Sequence, residues 1–132
     1  MKLDIYLNFG GNCEEAFRFY EKHLGAKVTM LMKHGEGPAK APPGFEGKVL
    51  HARMELGGTV VMGADIPGYQ PMRSAYLTFI ADSDQQADEV YALLTQGGEI
   101  FMKMDQTFYA SRFAMYRDRF GTSWMLMKEK TR

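Results

Sequence analysis

Few side chains in this sequence offer chemistry beyond ordinary packing, and His51 is the foremost of them. It lies in the stretch VLHARMEL, residues 49–56, which reads as a strand. Alternation along a strand puts Leu50, Ala52 and Met54 on one face and His51, Arg53 and Glu55 on the other. An imidazole there can act as a general base near neutral pH, or the three ionisable groups can together anchor a polar ligand. The plainer reading is a partly exposed histidine hydrogen-bonded on the polar side of a sheet. Cys13 falls in the first turn of a helix, where the dipole favours a thiolate. No histidine is near it in sequence, so it reads first as an ordinary helix-start residue. His23 and His34 read as helix-surface and loop histidines with no assigned role. Phe108, Tyr109, Phe113, Tyr116 and Trp124 form a dense aromatic group. Such residues wall small-molecule pockets and equally fill cores. The 11 methionines pose the same choice, because a flexible thioether suits both irregular cores and adaptable binding surfaces.

The composition limits what these residues can serve. At 132 residues the chain suffices for one domain, 1–132, with its own core. Apolar residues make up 45% and charged ones 24%, as in globular proteins. Sixteen basic residues balance sixteen acidic ones, so no excess charge favours nucleic acid or anionic lipid as a partner. No apolar run reaches the roughly 18 residues of a membrane span. MKLDIYLNFGG at the start has a strand pattern rather than the apolar block of a leader peptide. A single cysteine allows no internal disulfide and fits a reducing compartment. The expected location is cytoplasmic.

The elements that must hold the candidate residues occur twice. Tyr6–Phe9 reads YLNF, and Tyr76–Phe79 reads YLTF. Each alternates as a strand does and leads through a polar turn into a helix. In the first copy Asn12 and Glu15 form an N-x-x-E variant of the capping box. Ala16, Phe17, Tyr20 and Leu24 make the apolar face, and Gly25 the stop. In the second, Asp82, Ser83 or Asp84 caps, Ala87, Val90, Tyr91 and Leu94 face inward, and Gly97-Gly98 stops. Three strands are expected after each helix: about 26–32, 48–56 and 59–64, then about 99–104, 112–117 and 122–128. Gly57-Gly58 marks a tight hairpin; residues 119–121 turn its counterpart. Residues 33–47, rich in Gly, Pro and Lys, form a long loop of the kind used as a lid or binding loop. Module one therefore spans about 1–65, the linker 66–73, and module two about 74–132. The fold class is α+β, with two βαβββ modules whose curved mixed sheets pair around a central cleft, in one chain or across a dimer.

The module, its duplication and several short segments together resemble the vicinal-oxygen-chelate superfamily (glyoxalase, bleomycin resistance protein, dioxygenase). The segments are Tyr6–Ala16 (YLNFGGNCEEA), Leu50-His51-Ala52 with Gly57-Gly58, Thr107-Phe108-Tyr109, and Asp118–Trp124 (DRFGTSW). In this order and spacing they look like the PhnB-like subgroup, sometimes labelled demethylubiquinone methyltransferase-like. The methyltransferase label is set aside, because no Gly-rich strand-to-helix cofactor loop is present. The resemblance implies paired sheets, a cleft and commonly a homodimer, but no single reaction.

Metal enzymes of that superfamily hold a divalent ion with His or Gln and Glu from the first and last strands of each module. Aligned on this sequence, those positions fall near Tyr6, Met62, Tyr76 and Met125. None is an ordinary ligand for Mg, Mn, Ni, Zn or Fe(II), and a thioether prefers Cu(I). Shifting any strand by one residue, which exchanges its faces, does not recover the set. No metal ligands are therefore assigned, and no cofactor is expected. The expected function is binding of a small hydrophobic or aromatic molecule by Tyr6, His51, Met62, Tyr76, Phe108, Phe113, Trp124 and Met125. His51 is the only catalytic candidate, so whether the chain is an enzyme stays open. The alternatives are a glyoxalase- or dioxygenase-type enzyme with non-standard metal ligands, and a dimer with a vestigial cleft. Lys103, Arg112, Arg117 and Arg119, alternating with acids, read as a solvated face.

Overall fold

The computed structural model describes residues 1–130 and divides into two compact units, Met1–Gln70 and Pro71 onward. Unit one contains β1 (Ile5–Phe9), α1 (Cys13–Leu24), β2 (Lys27–Lys33), β3 (Val49–Leu56) and β4 (Thr59–Asp65). Unit two repeats the order with β5 (Leu77–Ile80), α2 (Asp84–Leu94), β6 (Glu99–Asp105), β7 (Ala110–Arg117) and β8 (Ser123–Glu129). Each sheet has four strands, ordered β1-β4-β3-β2 and β5-β8-β7-β6. The first and last strands of each unit pair in parallel, and the other pairings are antiparallel. These are the two expected βαβββ modules.

In unit one, Leu7, Phe9, Ala52, Met54 and Val61 are buried with Ala16, Phe17 and Tyr20 of α1. Phe9 meets Phe17 edge-on at 6.0 Å. Gly63 is the close approach in this layer, since a Cβ there would lie 3.0 Å from the Phe17 ring. In unit two, Ala114, Tyr116, Trp124 and Leu126 are buried with Ala87, Val90 and Leu94 of α2. Gly57 and Gly58, at φ 57° and 80°, close the β3–β4 hairpin in the left-handed conformations of a two-residue primed turn.

The helix starts depart from expectation in one respect. Ser83 caps α2, its Oγ accepting from the Gln86 amide at 3.0 Å. Asn12 sits at the N-cap of α1 but forms no capping bond, and its buried Oδ1 has no partner. Asp65, from the far end of β4, takes over. Its Oδ1 accepts from the amides of Gly11 (2.8 Å) and Cys13 (3.0 Å), and its Oδ2 from Val49 (2.8 Å). A buried carboxylate accepts such bonds more strongly than an asparagine amide, and its charge faces the positive end of the helix. The Asn12 side-chain half of the expected capping box is thus missing, and a tertiary cap from Asp65 holds the helix start.

Candidate functional sites on the helix-free sheet faces

With Leu7, Ala52 and Gly63 directed at α1, alternation places Tyr6, His51, Arg53 and Met62 on the opposite face of sheet one. Tyr6 pairs in register with Met62, and Met62 with Arg53, so the three form one row across β1, β4 and β3. Tyr6 is 48% exposed, and its ring stacks on His51 at 5.6 Å and 26°. Its Oη lies 3.1 Å from His51 Nδ1, a contact that crosses the intervening strand β4. Burial, and then the neighbouring Cys13, push the Tyr6 phenol above its ordinary value. The phenol therefore keeps its proton, and the direction of the Oη–Nδ1 bond follows the His51 tautomer.

Unit two presents a different set. Tyr76 immediately precedes β5 and alternates with Thr78 and Ile80. Its Oη accepts from Arg73 Nη1 at 2.8 Å, and its ring meets Phe101 edge-on at 6.5 Å. The Arg73 guanidinium lies 4.0 Å from the centre of the Phe101 ring, and that of Arg117 lies 5.3 Å away. Arg117 donates from Nε to the Met72 carbonyl (3.2 Å) and pairs with Glu99 (3.6 Å). Arg112 instead turns to α2, where it pairs with Asp88 (2.8 Å) and Asp84 (3.7 Å). The basic residues of β7 therefore do not make one solvated face; they serve opposite sides of the sheet.

The positions singled out from sequence separate accordingly. Tyr6, His51 and Met62 come together. Tyr76 sits among Arg73, Phe101 and Arg117. Phe113 is 7% exposed and takes the edge of Tyr109 at 6.0 Å, while Phe108 is 91% exposed in the β6–β7 loop and packs on Tyr109 at 4.9 Å. Met125 pairs with Thr78, so by the YLNF/YLTF match it corresponds to Ala64, which pairs with Asn8, and not to Met62. Ser123, which pairs with Arg117, takes the Met62 place. Trp124 requires a correction as a binding residue. It is 2% exposed, directed toward α2, and its Nε1–H donates to Asp118 Oδ2 at 2.9 Å. It holds the core and the β7–β8 turn and presents no open face.

Cys13 is wholly buried, and burial together with the charges of Asp65 and Glu14 drives its thiol far above the ordinary value. The dipole effect expected at the helix start is outweighed, and the thiol is not a nucleophile in the folded chain. Of the nine strand methionines, Met54 alone lies in the core; Met30, Met32, Met62, Met102, Met104, Met115, Met125 and Met127 keep partial or full exposure. Arg73 and Phe101 escaped the sequence reading, one placed in the linker and the other in an unremarkable strand; only their shared ring contact sets them apart. Two surface hollows, of about 350 and 510 Å³, lie at the starts of α1 and α2. Their linings, among them Glu14, Lys48 and Asp65 in one and Asp84, Ser111 and Lys128 in the other, include none of the predicted site residues.

The donor set does not suit a divalent cation. Met62 offers a thioether, Ser123 donates its hydroxyl to the Met72 carbonyl, and Tyr6 holds its proton against His51. Asp65, the nearest carboxylate on β4, spends both oxygens on backbone amides. Among the described residues no group of three or more His, Cys, Asp or Glu side chains could hold an ion.

Comparison with known proteins accords with this architecture. The model of the Glyoxalase/Bleomycin resistance protein/Dioxygenase superfamily matches residues 2–126. Protein YjdN of Escherichia coli (strain K12) is 30% identical over 139 residues, covering 96% of this chain and 94% of that protein. The crystal structure of protein PA1353 from Pseudomonas aeruginosa superposes with a TM-score of 0.89 at 32% identity, covering 99% of each chain. A putative 3-demethylubiquinone-9 3-methyltransferase, PhnB protein, from Bacillus cereus gives a TM-score of 0.84 at 27% identity, over 97% of this chain and 99% of its own.

Proposed function

This chain belongs to the Glyoxalase/Bleomycin resistance protein/Dioxygenase superfamily and has PhnB-like relatives, and we propose that it binds a small aromatic or hydrophobic molecule on its helix-free sheet faces without a resident metal. The carrying observation is the Tyr6–His51 pair. Where the superfamily's metal enzymes place ion-holding donors, this chain has a protonated phenol bonded to an imidazole. Met62 shares the open face of unit one with them, and the open face of unit two separately carries Tyr76 and Met125. Such faces offer π surfaces and polarizable sulfur for an apolar body, with His51 as the orienting polar group on unit one. Stacking on Tyr6 fixes that imidazole before a ligand arrives, which lowers the entropy lost on binding. Exposed Ile80, Ile100, Met102 and Phe108 support a homodimer as part of the same proposal. A cytoplasmic location is consistent with the single, unpaired cysteine.

Native mass spectrometry of freshly purified protein, with elemental analysis, tests the reading. The expected species is a dimer without stoichiometric metal that retains an added aromatic probe; His51→Ala weakens retention. Metal bound at one equivalent per chain, and lost in Tyr6→Phe, would overturn it in favour of a metalloenzyme with unusual ligands.

A further inference from the structure

We infer that Arg73, with Tyr76, Phe101 and Arg117, forms an anion subsite that takes the acid group of an aromatic organic acid. This rests on the binding reading above and specifies the ligand class for the face of unit two.

Charge is the first consideration. Two guanidinium groups lie within 4.0 and 5.3 Å of the centre of one phenyl ring, and the cluster's single paired acid is Glu99, 3.6 Å from Arg117. Arg117 is thereby neutralised and is anchored further by its bond to the Met72 carbonyl. Arg73 has no carboxylate within ion-pair distance among the described residues. One positive charge is left over.

Geometry is the second. A guanidinium has five N–H donors in a rigid plane. Arg73 is held with its guanidinium carbon 4.0 Å from the Phe101 ring centre and commits one donor to Tyr76 Oη, which leaves its other donors for a ligand. That oxygen accepts from Arg73, so the phenol retains its own proton to donate. A planar carboxylate or a sulfonate can thus meet a held fork and a hydroxyl at one place. The edge-on Tyr76–Phe101 pair and the half-buried Met125 side chain of the same face give the aromatic body its contact surface. An isolated exposed charge contributes little, so the acid group strengthens the binding of a molecule already held by its ring.

Paired fluorescence titrations decide the matter, with 8-anilinonaphthalene-1-sulfonate as the aromatic anion and N-phenyl-1-naphthylamine as its uncharged counterpart. The unaltered protein is expected to bind both, the sulfonate about tenfold more tightly, as one pair of charge-assisted bonds would give. Arg73→Ala should erase that preference while leaving the neutral dye's affinity in place, and Arg73→Lys should keep part of it. Lys22→Ala, an exposed charge on α1, should change neither. If both dyes bind and the preference survives Arg73→Ala, or falls equally in Lys22→Ala, the subsite is refuted and the binding reading stands. If neither dye binds the unaltered protein, the binding reading falls and takes the subsite with it.

Discussion

Replacing Asp65 with alanine should unfold unit one far more readily than any change on its open face. Asp65 is 3% exposed and accepts three backbone hydrogen bonds of 2.8–3.0 Å. Those bonds join the end of β4 to the first turn of α1 and to the start of β3. The alanine variant leaves the buried amides of Cys13 and Val49 without acceptors and the half-buried amide of Gly11 dependent on water. Each stranded buried donor costs about 1–3 kcal/mol, so the total should come to about 3–5 kcal/mol, in the range of broken buried networks. Asp65→Asn is the informative control. Its carbonyl oxygen can still serve Gly11 and Cys13, but its NH₂ would face the Val49 amide, donor against donor, at roughly half the alanine cost. Urea unfolding followed by far-UV circular dichroism measures both. With a slope of about 2 kcal/mol per molar, the alanine midpoint should fall by about 1.5–2.5 M. Amide exchange should accelerate most at Cys13 and Val49. A loss under about 1 kcal/mol, or exchange unchanged at those two amides, would refute the tertiary cap.

Three further outcomes follow from the geometry. Cys13 should resist thiol reagents in the folded protein and react on unfolding; because its thiol is raised in the folded chain, stability should fall as pH climbs above the ordinary value of 9.0. The Cys13 share of the loss is about 1.4 kcal/mol by pH 10; equilibrium unfolding of Cys13→Ala should lack that share and keep the smaller loss that Tyr116, also raised by burial, begins near pH 10. Gly98→Ala puts a Cβ 2.1 Å from the Arg117 carbonyl oxygen, so thermal unfolding should show a loss of several kcal/mol or no folded protein. Trp124→Phe removes the bond to Asp118 and should cost about 1–3 kcal/mol in urea unfolding, while dye affinity stays unchanged because that ring faces the helix.

The duplicated frame was legible because local patterns carry it. YLNF and YLTF alternate, glycines fall where a positive φ is needed, and apolar residues recur at helical spacing; all are properties of neighbours in sequence. The strands start and end within a few residues of the expected places for that reason. What escaped is non-local. Nothing near Asn12 reveals that Asp65 will accept from the amides on either side of it. The equivalence of Met62 and Met125 failed through turn length. Gly57-Gly58 joins Leu56 to Thr59 directly, whereas five residues separate Arg117 from its partner Ser123. Asp118 folds that longer turn by accepting from the amides of Phe120 and Thr122, each at 3.0 Å. The resulting ladder brings Ser123, not Met125, to the place matching Met62. Trp124 looked like a pocket wall because an aromatic residue in a strand gives no sign of which face its sheet will cover. Arg73 and Phe101 are 28 positions apart, and only the folded chain places one on the other.

The contrast between the two helix starts also bears on the order in which the halves can assemble. Ser83 caps α2 from a residue three positions away, and Asp118 organises its turn across two to six positions. Unit two can form these contacts with little loop closure. The amides at the start of α1 wait for Asp65 across 52 and 54 residues, so that end of the helix is secured only once β2, β3 and β4 have been laid down. Loop closure of that span is entropically costly and slows the contacts that depend on it. On a chain synthesised from its N-terminus, the first helix to emerge is therefore the later of the two to be locked at its start relative to its own sequence, and the unit made second has the shorter path to a finished cap.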